Sequence, residues 1–183
     1  MKLVPRKIRI DRKGFTLAET LIAILILLMV SAIVAGAIPT ASSVFAKTVD
    51  AANAQLLLST TMTKLRDELS TAVGDVNISD GGKTITYQNS NGYCKIHIPE
   101  ATATSGILIY HGTYDPSAGV TFDDAAGRLL VSEEAATKGM IVSCSASKSA
   151  DGKTIIFSNM EVRKAGYESS LAERGAFSVR RVA

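Results

Sequence analysis

The feature that most constrains this chain is the run FTLAETLIAILILLMVSAIVAGAI, residues 15–38. Only Thr16, Glu19, Thr20 and Ser31 in it are polar. Apolar residues fall on every face, so the segment does not read as an amphipathic helix lying on a core. At about 1.5 Å per residue it is long enough to cross a hydrocarbon layer of about 30 Å. One carboxylate, Glu19, sits near its start. A charge in hydrocarbon costs on the order of a few kcal/mol, less near the interface, and such residues usually have a partner and a function.

A basic leader precedes the run. The first thirteen residues carry Lys2, Arg6, Lys7, Arg9, Arg12 and Lys13 against Asp11 alone, a net of +5. The whole chain is +3, so the remainder sums to −2. The basic balance therefore belongs to the leader. With no Trp and no interleaving of aromatic and basic residues, it is not a nucleic-acid footprint. The positive-inside rule places residues 1–13 in the cytoplasm and everything after Pro39 outside.

Three readings account for the segment. It is a signal-anchor helix, or a secretory signal peptide with a small-residue cleavage site at Ala35-Gly36-Ala37, or a helix made by cutting between Gly14 and Phe15. The first two leave Glu19 unexplained. The third supplies a partner: the new α-amine of Phe15 lies one helical turn before Glu19, on the same face. The helix dipole is also positive there. In a polymer, the same carboxylate can meet the amine of a neighbouring chain and fix register.

Lys13-Gly14-Phe15-Thr16-Leu17-Ala18-Glu19, followed by the apolar run, resembles the type IV prepilin cleavage and methylation motif of pilins and pseudopilins. The resemblance covers about the first 40 residues. It implies that a prepilin peptidase cleaves after Gly14 and methylates the new N-terminal Phe15, and that Glu19 aligns an incoming subunit. It implies a structural subunit, not an enzyme, with no cofactor or metal. Its partners would be the peptidase/methyltransferase, other pilin subunits, an inner-membrane assembly platform and, before assembly, membrane lipid. The location implied is a single-pass membrane protein with its C-terminal domain extracytoplasmic, assembled into a filament. Major pilin, minor pilin and pseudopilin remain open, as do adhesive and DNA-binding roles. Many family members carry a Pro earlier in the apolar segment; here Gly36 and Pro39 are the helix-weakening residues, so a kink or melted stretch is expected near 35–39.

Beyond Pro39 the pattern remains helical. Leu58, Met62, Leu65, Leu69 and Val73 form one face, Lys64 and Glu68 are spaced for a weak pair, and Gly74 is the expected stop. The stripe lasts barely two heptads, which favours docking on a sheet over a coiled coil. Strand signals follow at 83–88, 93–98, 106–111, 128–132, 140–148, 153–162 and 176–182, with turns at 89–92 and 149–152. The expected architecture is α+β: a leader over 1–14, a membrane-spanning and assembly helix over 15–38, its continuation over 39–74, and an antiparallel β domain over 75–183 on which the helix packs by its second half. That layout is pilin-like.

Cys94 shares a face with Ile96 and Ile98, and Cys144 with Val142 and Ala146, so both thiols should point inward. A bridge between them would close a loop of about 50 residues and contribute about 4 kcal/mol. Two buried free thiols fit the pattern equally well. Pilins often carry a disulfide near the C-terminus, but 39 residues follow Cys144 here. Gly82-Lys83-Thr84 and Gly152-Lys153-Thr154 lack the earlier glycine of a phosphate loop, Asn77 and Ser147 standing there instead, and each reads as a hairpin turn. His97 and His111 show no metal-ligand spacing, and Asp123-Asp124 lacks a calcium-loop ligand series.

Overall fold

A computed structural model describes residues 14–100, 106–131, 139–164, 167 and 169–181. Two compact units are present, one ending at Ala46 and the other beginning at Lys47. A single helix, α1, runs Leu17–Ser70. It continues through Gly36 and Pro39, where a kink or melted stretch was expected. Pro39 has no N–H to donate, and the Thr40 hydroxyl donates to the Gly36 carbonyl at 3.3 Å beside that gap. The helix stops four residues before Gly74. The hydroxyls of Ser70 and Thr71 donate to the carbonyls of Asp67 and Glu68 at 3.2 and 3.0 Å, occupying acceptors the last turn leaves open.

Among the described residues nine strands follow: β1 (Val73–Ser79), β2 (Thr84–Asn89), β3 (Gly92–His97), β4 (Leu108–Asp115), β5 (Gly119–Phe122), β6 (Arg128–Leu129), β7 (Met140–Lys148), β8 (Thr154–Lys164) and β9 (Ala172–Arg180). Every pairing is antiparallel. The β domain is two sheets, not one: β1-β2-β3-β4-β5 in order with β6 on β4, and β7-β8-β9. The expected strands appear with shifted ends; β1 and β5 were not expected, and Ser132 of the 128–132 candidate and Val182 of the 176–182 candidate lie outside the described residues. Both Gly-Lys-Thr tripeptides do close hairpins, β1/β2 and β7/β8.

One core joins α1 to both sheets. Leu65 and Leu69 of the helix, Ile85 and Ile96 of the first sheet, and Ile155 and Phe157 of the second are each 0% exposed and belong to one cluster. The helix presents Ala54, Leu57, Leu58, Thr61, Leu65 and Leu69 to it. The buried stripe is thus turned slightly from the expected one: Thr61 faces inward, its hydroxyl satisfied by the Leu57 carbonyl at 2.8 Å, while Met62 is only partly buried. Val73 is exposed on β1. Glu68 accepts from the Tyr87 hydroxyl at 3.2 Å instead of pairing with Lys64.

The two sheets are joined at one edge by specific contacts. Gly82, in the 3₁₀ turn Asp80–Gly82, has φ 89° and lies so near β7 that a Cβ would fall 2.3 Å from the Ala146 carbonyl oxygen. Lys83 Nζ donates to the Cys144 carbonyl at 3.1 Å, and Lys148 Nζ pairs with Asp75 at 2.5 Å. Arg181 donates to the carbonyls of Gly74 and Gly152. Opposite Cys144, β8 carries the extra residue of a bulge: Ser143 faces Glu161 and Ser145 faces Ser158, with Asn159 at φ 52°. Cys94 and Cys144 are both buried, as their strand faces imply, and both are free thiols in this structure. Burial raises the Cys94 thiol and pushes Cys144 up to about 12, the Lys83 charge offsetting a small part of the latter.

Two measurements check these contacts. Gly81→Ala and Gly82→Ala both place a side chain at positive φ, a conformational cost of about 1–2 kcal/mol. Only Gly82→Ala also collides with backbone, so it should lower the denaturation midpoint of the full chain well beyond Gly81→Ala. Equal losses would mean that the turn does not abut β7. The Cys144 shift stabilises the fold fully below the unfolded thiol value of about 8.5, and that stability is lost as pH rises through about 12. Reduced native protein at pH 9 should therefore resist iodoacetamide at Cys144 and alkylate there only after denaturation.

Candidate functional site

The candidate site is the start of α1. Gly14, Phe15 and Thr16 precede the helix, and every residue from Gly14 to Thr48 is exposed. Phe15 is 82% exposed, and nothing lies within 4 Å of where a Gly14 Cβ would stand. Among the described residues, the peptide bond between Gly14 and Phe15 is exposed and lies in non-helical backbone.

Thr16 and Glu19 form a reciprocal cap. The Thr16 N–H and hydroxyl donate to Glu19 Oε2 at 2.9 and 3.0 Å, and the Glu19 N–H donates to Thr16 Oγ1 at 3.3 Å. Thr16 therefore stands at the N-cap and Glu19 three residues on, the spacing of a capping box. Two backbone donors that the first turn would leave open are satisfied. Thr16-Leu17-Ala18-Glu19 before an apolar run is itself the sequence signature of this device. The reading of Glu19 solely as a partner for an amine overlooked that signal.

The other polar side chains of the apolar run are also satisfied within the helix. Thr20 Oγ1 donates to the Leu17 carbonyl at 2.9 Å and Ser31 Oγ to the Leu27 carbonyl at 2.8 Å. Such internal pairing is what a hydrocarbon environment demands. Among the described residues α1 is the one helix long and apolar enough to cross a membrane. Glu19 Oε1, unlike Oε2, has no hydrogen-bond partner among the described residues.

The remaining candidates do not converge. The Cys94 sulfur lies 3.6 Å from His111 Nδ1, and His97 Nδ1 lies 3.5 Å from the Thr84 hydroxyl. Asp123 caps the turn Asp124–Ala126 by accepting from the Ala125 N–H at 2.9 Å, and Asp124 pairs with Lys95 at 2.5 Å. Among the described residues no group of three or more His, Cys, Asp or Glu side chains is placed to hold a metal ion.

Residues 9–35 match the family model described as the prokaryotic N-terminal methylation motif. No curated protein and no solved structure matches the chain. The open Gly14–Phe15 bond, the capped helix start and the uninterrupted apolar run all fall in or beside the matched residues. Residues 9–35 thus carry a prokaryotic N-terminal methylation motif, the kind of motif that the Lys13–Glu19 pattern resembles.

Proposed function

We propose that the chain is a structural subunit processed at its N-terminus and assembled into a type IV pilus or a related pseudopilus. The observation that carries this reading is the Glu19 carboxylate, one oxygen engaged in the cap and the other without a hydrogen-bond partner among the described residues, within a matched methylation motif. Cleavage after Gly14 by a prepilin peptidase would free the Phe15 amine, which the same enzyme would methylate. The amine stays cationic and lies one turn from Glu19.

Before assembly the apolar segment is held in lipid, leader inside and β domain outside. During assembly, organised by a membrane platform, apolar helices leave lipid and pack on one another. Non-directional apolar contact alone would let neighbouring helices slide. A carboxylate and an amine meeting in that low-dielectric bundle attract far more strongly than in water, and only at matched heights. The role of the protein is then mechanical; it is the substrate of an enzyme and has no catalytic residue of its own.

Mass spectrometry of the protein purified from its own cells should find methylated Phe15 as the N-terminus. A start at Ile38 would mean that a signal peptidase acted, and an intact Met1 would mean a plain anchored domain; either removes the filament reading. Substitution at Glu19 separates charge from cap. Glu19→Gln keeps a capping side chain, whereas Glu19→Ala removes the acceptor of both Thr16 donors. Both should be cleaved at near-normal rates, and both should lose filament yield. Filaments from Glu19→Gln at normal yield would show that the cap suffices and that charge pairing is not needed.

A further inference from the structure

The solvent face of the first sheet carries a groove of about 360 Å³ that the processing chemistry does not use. That volume is within the range of small-molecule sites. Its apolar lining includes Tyr93, Phe122 and Val120; its polar lining includes Asn77, Thr86 and Gln88.

The rings are held in place. Phe122 lies against Gly112 so closely that a Cβ there would fall 2.7 Å from the ring. Lys95 Nζ stands 5.2 Å from the Phe122 centroid and 4.4 Å from that of Tyr110, and is fixed by Asp124 at 2.5 Å. Tyr93 stacks on Tyr114, centroids 6.0 Å apart. Rings already ordered lose little freedom when a ligand covers them.

The local charges are compensated. Asp75, at the groove edge, is paired with Lys148, and Lys95 with Asp124. This disfavours a phosphate, an acidic peptide or a metal ion. What the groove offers is flat aromatic surface beside carboxamides. The Asn77 and Gln88 side chains are on exposed residues and have no hydrogen-bond partner among the described residues. A carboxamide both donates and accepts in one plane. A ligand with one apolar C–H face and a rim of hydroxyls, each able to donate and accept, meets both features.

We propose that this groove is a binding site for a neutral saccharide, one sugar ring lying on Tyr93 or Phe122 with its hydroxyls on Asn77 and Gln88. The site is independent of N-terminal processing. Full-length chain in a zwitterionic detergent, free of glycoside detergents, is titrated with cellobiose, chitobiose and maltose, and saturation transfer to the sugar C–H protons is read by NMR. At least one disaccharide should show saturable transfer. Tyr93→Ala, and separately the double variant Asn77→Ala/Gln88→Ala, should weaken it by about tenfold or more. The second variant changes only exposed polar side chains, so loss of binding there is not loss of fold. No transfer to any of the three sugars, or transfer that survives both variants unchanged, overturns the proposal.

Discussion

The whole N-terminal half rests on one constraint: polar atoms in an apolar rod must find partners within the rod. Thr20 and Ser31 turn their hydroxyls back onto carbonyls of the preceding turn. Thr16 and Glu19 close on each other at the helix start. With those contacts made, the Thr and Ser hydroxyls of the run are closed on the helix itself, which lowers the cost of an apolar environment. Without them, the first turn would bring open N–H groups and a solitary carboxylate into the interface. Glu19 thus has a local task that precedes any role in assembly.

Further along, the same helix answers to a different environment. From Ala54 its apolar residues narrow to a stripe, and Leu65 and Leu69 lose all exposure beneath two sheets. Thr61 shows how a polar residue is tolerated there: its hydroxyl is closed on the Leu57 carbonyl, as Ser31 closes on Leu27. Water exclusion by lipid and water exclusion by packing impose the same rule. The fold ties its two sheets together with backbone acceptors and long cationic side chains, Lys83 on Cys144 and Arg181 on Gly74 and Gly152. These bonds cross large sequence separations.

That separation explains what could be read in advance. The hairpins β2/β3 and β7/β8 were legible because alternation and turn residues are local signals. The inward faces of Cys94 and Cys144 were legible for the same reason. The strand β1 was not: Val73 continued the helical spacing and Gly74 looked like a helix stop, whereas Ser70 and Thr71 end the helix first. The short β5 has only four residues, too few for a period. The place where the two sheets meet sets Gly82 against Ala146, a contact that no window of sequence contains. Glu19 was singled out for a proposed amine partner; its Thr16 partner in the structure was three residues away and overlooked.

The Thr16 cap and the proposed amine pairing are compatible, and the geometry of the cap bears on why a carboxylate suits the position. A carboxylate has two oxygens and about four acceptor sites. Oε2 holds both Thr16 donors, which orients the group along the first turn. Among the described residues nothing donates to Oε1, which leaves it for a third donor. A hydroxyl in its place would serve the cap and exhaust itself, and an amide would offer one acceptor oxygen and a repelling N–H₂ toward an incoming amine. On the proposed reading, the cap holds the second oxygen in a defined place before any amine arrives. Pairing then requires no reorganisation of Glu19, and the register it sets is as sharp as the cap is rigid.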